Sequence, residues 1–129
     1  MAIEFLTLSD ILEIQRDQLD RYGGQAGLRD IHLLESAVAM PQAGFGGQYL
    51  HQDIFEMAAA YLFHIVQNHP FLDGNKRAGA ASALVFLTMN DIDLRPDEEG
   101  LYSITLAAAE GKAQKPEIAK FFRSLAAVL

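Results

Sequence analysis

The chain of 129 residues has no cysteine. That excludes a disulfide framework and a thiolate metal site, and it is compatible with a reducing cytosol. Positive charge is scarce. Lys and Arg number 10 against 17 Asp and Glu, for a formal net charge of −7 and a pI near 4.9. Sequence-independent binding of DNA or RNA depends on neutralising phosphates, so direct nucleic-acid binding is not expected. Long hydrophobic runs are missing too. The uncharged stretch with the most apolar character, Met57 to Leu72, contains His64, Gln67, Asn68, His69 and Pro70. It falls short of the ~20 mainly apolar residues that a membrane span needs. Met1-Ala2-Ile3-Glu4 lacks the basic start and apolar core of a secretory signal. A cytoplasmic location without membrane association is the expectation.

What is present suits one compact domain over residues 1–129. Half the residues are apolar and 21 % are charged, ordinary for a globular protein with a sizeable core. The periodicity is helical throughout. Ile11, Ile14 and Leu19 mark a first amphipathic helix, with Thr7 or Ser9 as its cap and Gly23-Gly24 as its end. Asp30 can cap a second helix carrying Ile31, Leu34 and Val38, which Pro41 stops. Pro41 to His51 holds three of the ten glycines together with Phe45 and Tyr49, and reads as a flap or short hairpin. Asp53 then caps a run that is apolar nearly all round, Ile54 to Val66, the pattern of a central helix. A second buried helix runs from Asn75 or Lys76 to about Met89, with small residues that permit close approach. Asp91 to Leu94 alternates like a short extended piece. Asp97, Glu98 and Glu99 open a fifth helix, and Pro116 opens a last one carrying Ile118, Phe121, Phe122, Leu125 and Val128. The fold class is all-α, about six helices with two central ones buried among the others.

The chemistry is concentrated between those two central helices, in His69-Pro70-Phe71-Leu72-Asp73-Gly74-Asn75-Lys76-Arg77. Each residue has an ordinary role available. Phe71 suits a plug that pins a loop into the core. His69 alone is more often a structural loop histidine than a base. His64 reads as a satisfied core histidine and His51 as a residue at a helix start. No histidine has a cysteine partner at zinc spacing, so a zinc site is rejected. Asp73-Gly74-Asn75 is a common turn. Lys76 and Arg77 do not fit the ordinary picture. Cations oppose the dipole at a helix N-terminus, and two of them there imply an anion between them and the backbone amides. Asp73 can hold a hard cation such as Mg²⁺ through oxygen, and His69 can accept a proton near neutral pH. A base, a metal ligand and an anion cradle are the parts for phosphoryl or nucleotidyl transfer.

The same stretch resembles the signature loop of the Fic/Doc family, His-x-Phe-x-(Asp/Glu)-Gly-Asn-(Gly/Lys)-Arg, with every position filled. The short chain is most similar to the Doc (death on curing) branch, the toxin half of plasmid-addiction toxin–antitoxin pairs. The resemblance implies that His69 is the catalytic base and that Asp73 holds Mg²⁺. It implies that Gly74, Asn75, Lys76 and Arg77 bind the phosphates of ATP. It also implies that the flap, Phe45 to Leu50 above all, aligns a target segment by strand-like pairing. Two departures bear on the reaction. The AMP-transferring branch has glycine at the position of Lys76 and a second arginine at that of Ala80. The Doc-like lysine implies transfer of the γ-phosphate to a Ser or Thr hydroxyl, with translation elongation factor Tu as the expected target. AMP transfer, or a non-catalytic module that merely docks a phosphate or a partner, are the alternatives. The inhibitory pattern (Ser/Thr)-x-x-x-Glu-(Gly/Asn) of wider family members is not met. Thr105 and Glu110-Gly111 are one residue too far apart. A cognate antitoxin inserting a segment near the flap, Pro41 to His51, is the implied partner.

Overall fold

The computed structural model describes residues 2–126. Six α-helices account for nearly all its regular structure: α1 (Leu8–Tyr22), α2 (Ile31–Ala39), α3 (Ile54–Asn68), α4 (Asn75–Met89), α5 (Glu98–Ala109) and α6 (Lys115–Leu125). The all-α expectation holds. Val128, expected to extend the apolar face of α6, lies outside the described residues.

Local chemistry sets the boundaries. Thr7 caps α1, its hydroxyl accepting from the Asp10 amide while Asp10 accepts from the Thr7 amide in return. Asp30 caps α2 and Asp53 caps α3. Pro41 does not end the chain's winding outright. A 3₁₀ turn, Met40–Gln42, follows α2 and carries the chain into a hairpin of β1 (Gly44–Phe45) and β2 (Gln48–Tyr49). The two strands are antiparallel, pairing Gly44 with Tyr49 and Phe45 with Gln48. This is the short hairpin expected from the glycine content, with Phe45 almost wholly exposed. The alternating piece near Leu94 makes a single bridge to Ala126 rather than a strand.

Helix α3 is the centre. Met57, Tyr61, Leu62 and Ile65 are fully buried on it, facing Phe86 and Leu87 of α4, Ile118 and Phe122 of α6, Ile11 of α1 and Leu34 of α2. The Tyr61 hydroxyl accepts from the Leu6 amide at 2.8 Å, and burial raises its pKa to about 12. Helices α3 and α4 approach closely at Gly79. A Cβ there would lie 2.9 Å from Val66 Cγ2 and 3.2 Å from the Leu62 carbonyl oxygen. The tight α3–α4 pair fixes the separation of the ends that carry the loop between them.

Beside α3 sits a polar cluster of residues remote in sequence. Lys115 Nζ lies 3.1 Å from Nε2 of both His51 and His64. His51 is buried and His64 half-buried. The histidine expected to be satisfied in the core is therefore satisfied by an ammonium from α6. Burial first, then the Lys115 charge, lowers the pKa of both rings, that of His64 to about 4. Depressed histidines stabilise the fold above their unfolded pKa, near 6.5, and that stability is lost as pH falls toward 4. After a discount for partial solvent screening the loss is ~1–2 kcal/mol. Urea unfolding at pH 7 and pH 5 should show it, and His64→Gln should flatten the difference. Equal pH dependence in both proteins would remove the cluster as its source.

Candidate active site

Helix α3 ends at Asn68, and His69 follows in the left-handed conformation, φ 51° and ψ 54°. Pro70 forbids continuation of the helix, as the residue before proline is driven out of the α region. Phe71 drops its ring into the core, 1 % exposed, which fulfils the plug expected of it. The chain then turns through Asp73 to Gly74, also left-handed at φ 74°, and α4 begins at Asn75.

The start of α4 differs from those of α1, α2, α3 and α5. Those four carry an Asp or Thr side chain on their first-turn amides, whereas α4 has Gly74 at its N-cap and no capping side chain. Its first helical bond is from the Ala78 amide to the Gly74 carbonyl at 2.8 Å. The amides of Asn75, Lys76 and Arg77 precede it and are the orphan donors of the first turn. Their residues line a cleft of about 400 Å³ together with Val66, His69, Leu72, Asp73, Gly74 and Ala109. All six of the residues singled out in the sequence therefore converge on one cavity. A second hollow of about 420 Å³ adjoins it, sharing Lys76 and Arg77 and lined beyond them by Tyr22, Leu84, Leu101 and Tyr102. The hairpin does not line the cleft. Tyr49 instead packs edge-on against Phe5, which stacks on Phe86.

Asn75 has a different task from the one its place in the turn suggests. Its side chain is buried. Oδ1 accepts from the Phe71 amide at 2.9 Å and Nδ2 donates to the Phe71 carbonyl at 3.0 Å, which fixes the amide's orientation. The same Nδ2 lies 3.0 Å from His69 Nδ1 and 3.4 Å from Nε2. The side chain thus braces the imidazole and the loop, and the backbone amide is what Asn75 offers an anion. An amide nitrogen only donates, so the ring nitrogen that it bonds is the unprotonated one, and the contact holds the ring in place.

Asp73 is held through both oxygens. Oδ1 accepts from the Gly74 amide at 2.8 Å and Oδ2 from the Gln25 amide at 3.0 Å. Those bonds, with the nearby Arg77 and Lys76 charges, lower its pKa, so it is ionised at neutral pH. Each oxygen accepts one hydrogen bond and keeps further acceptor capacity, and a fixed, ionised carboxylate is the donor a hard divalent cation takes. Asp73 fits the Mg²⁺ role on that chemistry. Arg77 Nη1 donates to the Gln18 carbonyl at 3.3 Å, which ties the guanidinium to α1.

Sequence reasoning missed the loop between α1 and α2. Gln25 holds Asp73, the Gly27 carbonyl accepts from the Leu72 amide at 3.0 Å, and Leu28 bridges to Phe71. The buried Gln15 of α1 donates to the Asp73 carbonyl at 3.3 Å. Gly24 permits the approach, since a Cβ there would stand 2.9 Å from Asp73 Oδ2 and 3.0 Å from Arg77 Nη2. One signal was legible in Arg29. It precedes the Asp30 cap, another cation at the positive end of a helix.

A helical domain whose two central helices present this filled loop on a shared cleft belongs to the Fic/DOC family. A model of that family matches residues 5–87, the span from α1 through most of α4. The chain is similar to a protein named Toxin Doc of Mycolicibacterium smegmatis, with 41 % identity over 76 residues. That match covers 59 % of this chain and 58 % of the relative, short of two thirds of its length. It is also similar to Protein kinase doc of Escherichia phage P1, with 31 % identity over 116 residues and 90 % of each chain covered. Among the described residues no helix is long and apolar enough to cross a membrane.

Proposed function

We propose that this protein is the toxin of a toxin–antitoxin pair and transfers the γ-phosphate of ATP to a Ser or Thr hydroxyl of a protein target. The observation that carries the reading is the cleft itself: an uncapped helix start, two cations, an ionised carboxylate and a braced imidazole on one cavity. The names of the two relatives, a toxin and a protein kinase, lend it support.

In this mechanism the orphan amides of α4 receive phosphate oxygens, with Lys76 and Arg77 supplying full charge. His69 takes the proton from the target hydroxyl as its oxygen attacks the γ-phosphorus. The bond to the β-phosphate oxygen breaks and ADP leaves. Asp73 would hold Mg²⁺, which supplies charge neutralisation on the phosphates when bound. Such transfer is mostly positioning and electrostatic stabilisation, which suits a site made of backbone amides and fixed charges.

The expected target is translation elongation factor Tu, so the outcome would be arrest of protein synthesis in the cytoplasm. The antitoxin would cover the hairpin face, where Phe45, Tyr49 and Leu50 are exposed, and fold on binding. The alternatives stay distinguishable. ATP labelled separately at the α and γ positions, incubated with Mg²⁺, this protein and elongation factor Tu, decides between them. Movement of the γ label supports the kinase reading, and movement of the α label makes the protein an AMP transferase. ATP binding with neither label transferred points to a binding module.

Lys76 is the specific test of nucleotide orientation. It follows the first residue of α4, where its side chain lines the cleft. Lys76→Gly is expected to lower γ transfer by ~10²-fold, the scale of a lost electrostatic contact to a transferring group. Unchanged γ transfer would show that Lys76 does not set the orientation.

A further inference from the structure

We infer that Arg29 is a positioning residue for His69, acting as a clamp on the end of α3. Its planar fork spans two consecutive carbonyls there. Nε donates to the His69 carbonyl at 2.6 Å and Nη2 to the Asn68 carbonyl at 2.8 Å. The backbone continues the grip, because the amides of Arg29 and Asp30 both donate to the Pro70 carbonyl, at 2.7 Å and 3.0 Å. Three successive carbonyls, 68 to 70, are thus held by two residues about 40 positions earlier in the chain.

The grip falls where the backbone needs it. His69 is one of two described non-glycine residues at positive φ, a conformation that costs an L side chain and persists only when its surroundings impose it. The last carbonyls of a helix have no intrahelical partner and carry its negative end, so a guanidinium satisfies both hydrogen bonding and the dipole. This also accounts for a cation placed just before α2: its electrostatic partner is the C-terminus of α3, not the helix it precedes. Asn75 braces the imidazole from the side chain's direction, and Arg29 fixes the backbone from which that ring projects.

The inference rests on the proposed use of His69 as the base, but its first test does not. In the full-length protein, the backbone ¹³Cα shift of His69 reports the left-handed conformation directly. Arg29→Ala is expected to move that shift toward the unstrained range while the resonances of mid-α3 stay in place. Arg29→Lys should recover it only in part, because an ammonium is a point donor that cannot span two carbonyls as a fork does. In the transfer assay Arg29→Ala should lower kcat about 10- to 10²-fold, the cost of a slightly misplaced catalytic group, with KM for ATP nearly unchanged. An unmoved His69 shift in Arg29→Ala overturns the clamp. So does an equal rise of KM without loss of kcat, which would make Arg29 a nucleotide contact. If the wild-type protein transfers no label, the kinase reading fails while the shift comparison still decides the clamp. Should Arg29→Ala not fold, Arg29→Lys alone answers, full retention of shift and kcat counting against the fork.

Discussion

Replacing His69 by asparagine should lower the rate of γ-phosphate transfer by on the order of 10²–10⁴-fold, the usual contribution of a positioned general base. Asparagine is the informative choice. Like histidine it tolerates the left-handed conformation found here, φ 51°, whereas alanine would add backbone strain to the loss of the base. Its amide cannot accept a proton at neutral pH. The side chain is exposed on the cleft and its polar contact is the one with Asn75, so the folded state should change by no more than ~1 kcal/mol. The measurement pairs initial rates of label transfer with urea unfolding of the same samples. A large rate loss at constant stability identifies His69 as the base. A rate within about threefold of the parent, well below the scale of a lost base, would end that assignment.

Most of the fold could be read from the chain because each boundary is made by local chemistry. Asp30 and Asp53 are caps whose partners lie two or three residues away, and the glycine-rich stretch after Pro41 could do little but turn. The motif loop was legible for the same reason: its parts are contiguous, and two cations at a helix start violate a local rule. The second tier of the site was not. Gln25 to Asp73 and Arg29 to His69 are bonds across 48 and 40 residues, and two of the four groups involved are backbone atoms that carry no residue identity. The buried side chain of Asn75 faces the loop rather than an anion because its amide matches both backbone groups of Phe71, a fit that only the closed turn creates. The cluster of His51, His64 and Lys115 shows the same limit. Each histidine looked locally explicable, and the shared partner comes from α6, at least 51 positions away.

The largest loss of stability from a single truncation near the site is expected at Phe71. Its ring is 1 % exposed in the main core, and its backbone is the anchor of Asn75. Phe71→Ala should cost ~3–5 kcal/mol, from lost burial plus the cavity left beneath a loop that cannot fully collapse onto it. For a domain of this size that is a large fraction of the ~5–15 kcal/mol that holds most folds. The urea midpoint should fall accordingly, and Phe71→Leu should lose less by refilling part of the volume. A loss below ~1 kcal/mol for Phe71→Ala would mean that the ring is not what pins the loop. The amide and carbonyl of Phe71 survive the change, so the bonds that orient Asn75 remain available in the folded fraction. At a temperature well under its midpoint Phe71→Ala should therefore keep far more activity than His69→Asn, while being much the less stable of the two. That crossed pattern separates what holds the loop in place from what the loop does. If both variants lost rate and stability together, the two roles would have to be one, and the imidazole would belong to the packing rather than to the chemistry.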